Sequence, residues 1–166
     1  MTFDRAWIAA HIPHQGSMCL LDGVLEWDDE RIVCHADSHR AHDNPLRSHG
    51  CLHAACGIEY AAQAMAVHGA LCNAEGGRPR AGLLASLRSV ALLVDRLDDI
   101  ATPLSIAAHR QGGDRNSVLY GFVVSSNDRK LIEGRAAVIL DAASVISRPD
   151  ARMNGSTKGN LSLIHI

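Results

Sequence analysis

The spacing of hydrophobic positions changes along the chain. From Cys51 to Leu71 (CLHAACGIEYAAQAMAVHGAL) apolar residues occupy nearly every face of a helical wheel. That pattern predicts a long helix belonging in the interior. Elsewhere shorter apolar runs are punctuated by turn residues, which predicts strands. Asp4 to His11 predicts a short amphipathic helix, ended by Pro13. Cys19 to Trp27 and Arg31 to Ala36 flank Asp28-Asp29-Glu30 and read as a hairpin. Ser38 to Gly50 (SHRAHDNPLRSHG) is polar and turn-rich, hence a loop. Asn73 to Arg80 (NAEGGRPR) breaks the long helix with two glycines and a proline.

Four strands follow. Gly82 to Leu97 is long enough to require a bend or bulge. Leu104 to Arg110 and Val118 to Ser126 are joined across a Gly-rich connection, and Lys130 to Leu140 follows the turn at Asn127-Asp128-Arg129. In that last run Ile132, Gly134, Ala136 and Val138 alternate with Leu131, Glu133, Arg135, Ala137 and Ile139. The order predicts an α+β layer architecture, an antiparallel sheet wrapped around one long buried helix. Residues 1–141 read as one domain. Residues 142–166 read as a disordered or loosely docked tail, and its closing LSLIHI is set aside as a candidate sequencing scar.

Composition narrows the classes. At 166 residues the chain has room for a single core, and an aromatic share of 4% means Ala, Leu, Val and Ile must build it. A net charge of −2 gives no electrostatic reason to expect nucleic acid or a membrane surface as partner. No apolar run reaches the roughly 20 residues that span a bilayer. The N-terminus lacks a secretory pattern, and the cysteines, five without a CxxC pair, read as reduced thiols of a cytoplasmic protein.

Glu59 is the candidate chemical group. A carboxylate in so apolar a helix must be paired, hydrogen-bonded or protonated, and a desolvated one is raised toward a proton-donating range near neutral pH. Gln63 lies one turn later on the same face and is a candidate hydrogen-bond partner or substrate contact. Of the histidines, His42 on the polar loop is the first candidate base, ahead of His39 and His49. His14 reads as capping or packing the entry segment. His49 and His53 would stand at i and i+4 if the helix began early, but no HExxH accompanies them, and no metal is expected. Cys51 and Cys56 read as small buried hydrophobes.

The chain resembles the hotdog-fold 3-hydroxyacyl-acyl-carrier-protein dehydratases of fatty-acid synthesis. The branch associated with aryl-polyene or related polyketide lipid clusters is the most similar. Ile12-Pro13-His14, followed by Met18-Cys19-Leu20-Leu21-Asp22, is similar to the family's opening Leu-Pro-His and later Leu-hydrophobic-Asp. Ile58-Glu59-Tyr60-Ala61-Ala62-Gln63-Ala64 is similar to its central-helix Glu-Ala-x-Ala-Gln. Gly82 to Leu87 resembles the strand after that helix. The resemblance implies removal of water from a 3-hydroxyacyl thioester on the phosphopantetheine arm of acyl carrier protein, without metal or redox cofactor. It places the acid at Glu59 and, usually from the other protomer, a histidine on the preceding loop, where counting back from Asn44-Pro45 finds Arg40 flanked by His39 and His42. Backbone N–H groups near Gly50 to Leu52, at the expected helix start, are candidate donors to the thioester oxygen. The expected partners are acyl carrier protein and a second hotdog subunit, as homodimer or heterodimer, joined along Gly82 to Leu97. An acyl-thioesterase, or a half-site subunit completed by its partner, remains open as an alternative.

Overall fold

The computed structural model describes residues 3–73, 82–140 and 164–165. Helix α1 spans Arg5–His11. Strands β1 (Gly23–Trp27) and β2 (Arg31–Ala36) precede the long helix α2 (Gly57–Cys72). Strands β3 (Gly82–Leu92), β4 (Leu104–Gly113), β5 (Ser117–Ser126) and β6 (Arg129–Leu140) follow, with a two-residue β7 (Ile164–His165). The sheet order is β1-β2-β4-β5-β6-β3-β7, and every pairing is antiparallel. The rest of the expected tail lies outside the described residues.

The alternation in β6 resolves as expected from Ile132 onward, but Leu131, in the same alternating set as Arg135, is fully buried like Ile132. Ile132, Ala136 and Val138 are buried, while Arg135 faces out. Their layer closes on α2, whose Tyr60, Ala61, Ala64 and Val67 are fully buried. Small side chains on α2 bring the helix close to the sheet, and Gly57 is the tightest point: a Cβ there would lie 2.1 Å from Ile132 Cδ1. This is the hotdog arrangement, one helix held within a curled antiparallel sheet.

Three boundaries differ from expectation. The helix begins at Gly57 rather than Cys51, after a 3-10 turn at Ala54–Cys56. The Cys51–Ala54 stretch is instead tied to the loop after β3: Leu52 N–H donates to Asp98 Oδ1 at 2.8 Å, Leu97 N–H to Leu52 O, and Ala54 N–H to Asp95 O. Those bonds also end β3 at Leu92 instead of Leu97. The expected irregularity in β3 is double, with register shifts between Leu84 and Ser86 and between Arg88 and Ala91. Strand β1 starts at Gly23 because Met18–Leu20 is engaged by α2, as described next.

Candidate active site

Helix α1 is started by Asp4, whose carboxylate accepts Trp7 N–H at 2.9 Å, and it delivers the chain into Ile12-Pro13-His14. Ile12 is buried and anchors this exit. His14 then meets Glu59 in the first turn of α2, with His14 Nε2 2.9 Å from Glu59 Oε1. Both side chains are largely withdrawn from water, at 10% and 14% exposure. The carboxylate that the helix pattern left isolated is therefore paired within its own chain.

Gln63 completes the constellation and is fully buried. Its Nε2 donates to Glu59 Oε1 at 3.1 Å and to Met18 O at 2.8 Å, and its Oε1 accepts Leu20 N–H at 2.9 Å. One amide thus orients the carboxylate and fastens the segment carrying His14 to α2. Gln63 sits behind the pair as a positioning residue.

The hydrogen-bond pattern constrains the imidazole. A carboxylate can only accept when ionised, so Nε2 carries the proton in the Nε2···Oε1 bond. In neutral His14 the lone pair then resides on Nδ1, which is buried and has no partner among the described residues. A carboxylate-oriented imidazole with a free second nitrogen has the lone pair that general-base chemistry uses.

The other sequence candidates lie elsewhere. His42 is exposed and makes no bond to Glu59. Its loop is pinned from both sides: Asn44 Nδ2 donates to Ser38 O and to Tyr60 Oη, and Ser38 Oγ donates to Leu20 O. With Tyr60 O–H donating to Ser38 Oγ at 2.8 Å, these groups form a satisfied chain that leaves His42 outside. His39 is fully buried and donates Nε2–H to Ile100 O, a packing role. His49 and Gly50 form an exposed turn with φ of 51° and 79°, and Gly50 precedes α2 by too far to supply helix-terminal amides. Leu52 N–H is already spent on Asp98. His53 has extended backbone, so the i, i+4 pairing with His49 does not form. Among the described residues no group of His, Cys, Asp and Glu side chains converges as a metal site. All five cysteines are free, and Cys19 and Cys34 are buried, with burial pushing the Cys34 thiol up to about 12. Cys51 and Cys56, expected to be buried, are only partly so. No described helix is long and apolar enough to cross a membrane.

A central helix and its entry segment bringing an imidazole to a carboxylate, inside a curled antiparallel sheet, define a hotdog-fold protein with an acid–base pair. The family model described as ApeP-like, ApeP dehydratase, matches residues 6–146, and the chain belongs to that dehydratase family. The dehydratase heterocomplex ApeI:P from Xenorhabdus doucetiae is similar in structure, with TM-score 0.74 and 21% identity over 85% of this chain and 97% of that one. A homologue of HP0420 from Helicobacter felis superposes at TM-score 0.56 with 15% identity, covering 78% of this chain and 85% of that chain. A hypothetical thioesterase with coenzyme A from Streptococcus pneumoniae TIGR4 gives 0.52 and 13% identity over 70% and 83%. No curated protein matches the sequence.

Proposed function

We propose that this protein removes water from a 3-hydroxyacyl thioester carried on acyl carrier protein, giving the trans-2-enoyl thioester, in aryl-polyene or related polyketide lipid synthesis. The observation that carries the reading is the His14–Glu59 pair in a chain of a dehydratase family. His14 Nδ1 takes the C2 proton while Glu59 offsets the positive charge that forms on the imidazole. The C2–H electrons become the C2=C3 double bond as the C3–O bond breaks. The proton on Nδ1 then passes to the departing hydroxide, and water leaves. Glu59 is thus the ionised partner of the base, a revision of the proton-donor role drawn from the helix pattern. His14 replaces His42 as the base, and neither step requires a cofactor.

A second hotdog subunit completes the assembly in this reading. Beyond Leu84 the outer edge of β3 has no partner among the described residues, and Leu87, Val90, Leu92 and Leu93 are exposed there. An unpaired apolar edge of that length is a liability unless another chain covers it. The Xenorhabdus complex, a heterocomplex of dehydratases, favours a related subunit over a second copy.

The test is turnover of a 3-hydroxyacyl-carrier-protein substrate by the chain alone and with a related hotdog subunit. His14→Ala and Glu59→Gln each lower kcat on the order of 10²-fold or more, the scale of losing a positioned general base, while His42→Ala stays near wild type. Loss of activity in His42→Ala with retention in His14→Ala refutes the assignment. Release of free thiol from a plain acyl thioester, without enoyl product, identifies a thioesterase instead.

A further inference from the structure

The outer face of the sheet holds a charged row that the proposed chemistry does not use. Register places Arg31 opposite His109, His109 opposite Gly121, Gly121 opposite Arg135, and Arg135 opposite Arg88. Directly opposed residues share a face, and the four side chains in this row are all exposed. A line of basic groups therefore crosses β2, β4, β5, β6 and β3 at right angles to the strands, interrupted only where Gly121 has no side chain. At about 4.8 Å per strand step it is roughly 19 Å long.

Two bulges shape the row. Between Arg110 and Gly112 the register of β4 shifts, and Gln111 turns across the glycine gap, so that a Cβ on Gly121 would lie 2.7 Å from Gln111 Nε2. Between Arg88 and Ala91 the register of β3 shifts around Ser89, whose φ is 53°, and Ser89 Oγ accepts from Arg135 Nη2 at 3.3 Å. Bulges re-aim side chains at functional edges. The result is an open concavity of about 440 Å³ lined by Ser89, His109, Gln111, Gly121, Glu133 and Arg135. Glu133, one row away, is engaged by Lys130.

Like charges opposed across strands destabilise a sheet. Arg88 and Arg135 are so opposed, and among the described residues neither they nor His109 makes an ion pair with a carboxylate. Arg31 alone is neutralised, by Glu26 at 3.0 Å. A chain of net charge −2 that sets two unpaired arginines, Arg88 and Arg135, in one line with His109 has a surface suited to an anionic partner. The same net charge disfavours an extended polyanion such as nucleic acid. An α-helix of about 13 residues spans 19 Å, and carboxylates at i, i+4 and i+11 on one face lie at about 0, 6 and 16 Å along it, opposite Arg31, His109 and the Arg135–Arg88 pair, with the glycine step left between.

We propose that the outer face of the β2-β4-β5-β6-β3 sheet docks an acidic helix of a partner protein, laid across the strands along Arg31, His109, Arg135 and Arg88, with Gln111 filling the step over Gly121.

The probe is a fluorescent helical peptide of about 15 residues with glutamates at i, i+4 and i+11, titrated against the full chain by anisotropy at several salt concentrations. Binding is expected to weaken with salt and to fall about tenfold in Arg88→Gln/Arg135→Gln. The exposed turn variant Arg115→Gln should bind as wild type. Each single arginine variant, checked for an unchanged melting temperature, serves where the double variant does not fold. Equal binding by the glutamine version of the peptide, or unchanged binding in the arginine variants, overturns the proposal. Inorganic pyrophosphate binding with the same arginine dependence, while the peptide shows none, overturns it in favour of a small-anion site.

Discussion

Replacing Gln63 with leucine separates the positioning network from the reacting pair. The side chains are similar in volume, so the change chiefly deletes hydrogen bonds. Leu20 N–H loses its acceptor in a buried position, and Met18 C=O loses its donor in a partly buried one. A buried unsatisfied group costs about 1–3 kcal/mol, with the partly wetted carbonyl at the low end. The total is about 2–4 kcal/mol. For a domain of this size each kcal/mol moves the melting temperature by about 2–4 °C, so a drop of about 5–15 °C follows. Thermal melts followed by circular dichroism, with urea titration as a second measure, give this number. Glu59 also loses the Gln63 N–H at 3.1 Å, and the segment carrying His14 is no longer fastened to α2. Turnover measured well below the transition should therefore fall too. Gln63→Glu keeps an acceptor for Leu20 N–H but sets a second carboxylate against Glu59, and should lose more activity than stability. A Gln63→Leu protein melting within about 2 °C of wild type, with unchanged kcat, would show that this amide holds nothing in place.

Gly134→Ala in β6 should destabilise by about 1–3 kcal/mol, since the new Cβ would lie 2.8 Å from Cζ of the buried Phe122 ring and 3.0 Å from Val90 Cγ2; an unchanged urea midpoint refutes the contact. Gly69→Ala, where nothing lies within 4 Å, should stabilise the helix by about 0.5–1 kcal/mol in the same assay, and a lower midpoint refutes that open space. Burial holds His68 and His39 below the ordinary imidazole range. The unfolded chain then takes up protons first as pH falls below about 6.5, so stability is full above that pH and declines beneath it, by at most about 1.4 kcal/mol per pH unit for each histidine. Melting temperatures between pH 5 and 7 should show the decline, and His68→Gln should flatten it; an unchanged slope counts against a neutral buried His68.

The helix and the strands were legible because their patterns are local. Alternation in Ile132 to Val138 identifies a strand face without knowledge of its neighbours, and the near-continuous apolar stretch around Glu59 identifies a buried helix. The start of that helix was misplaced because its cause is distant: Asp98 and Leu97 hold Leu52 extended, and nothing within Cys51 to Cys56 announces this. The partner of Glu59 within the chain was hidden in the same way. A polar loop rich in histidine drew attention to His42, whereas Asn44 and Tyr60 use their hydrogen bonds to hold that loop away from Glu59 of the same chain. The signal for His14 was present in two places. It stands between Ile12 and the run Cys19-Leu20-Leu21, all buried, so its own burial followed. Gln63, one turn beyond Glu59, also had to spend several hydrogen bonds somewhere in the interior.

The basic row on the sheet lies deeper still. Positions 31, 88, 109 and 135 share no spacing, and a one-residue change of register at any strand pair would turn one member of the row to the opposite face. The bulges in β3 and β4 decide which residues stand opposite one another. They arise from packing between strands, and alternation within a strand does not contain them. The Glu59 site and the row thus depend on the same kind of information. Each brings residues distant in the chain to one place through hydrogen bonds whose donors and acceptors belong to different elements, and for that reason each is tested by changing the connecting residues, Gln63 or Arg135, as much as by changing the groups they position.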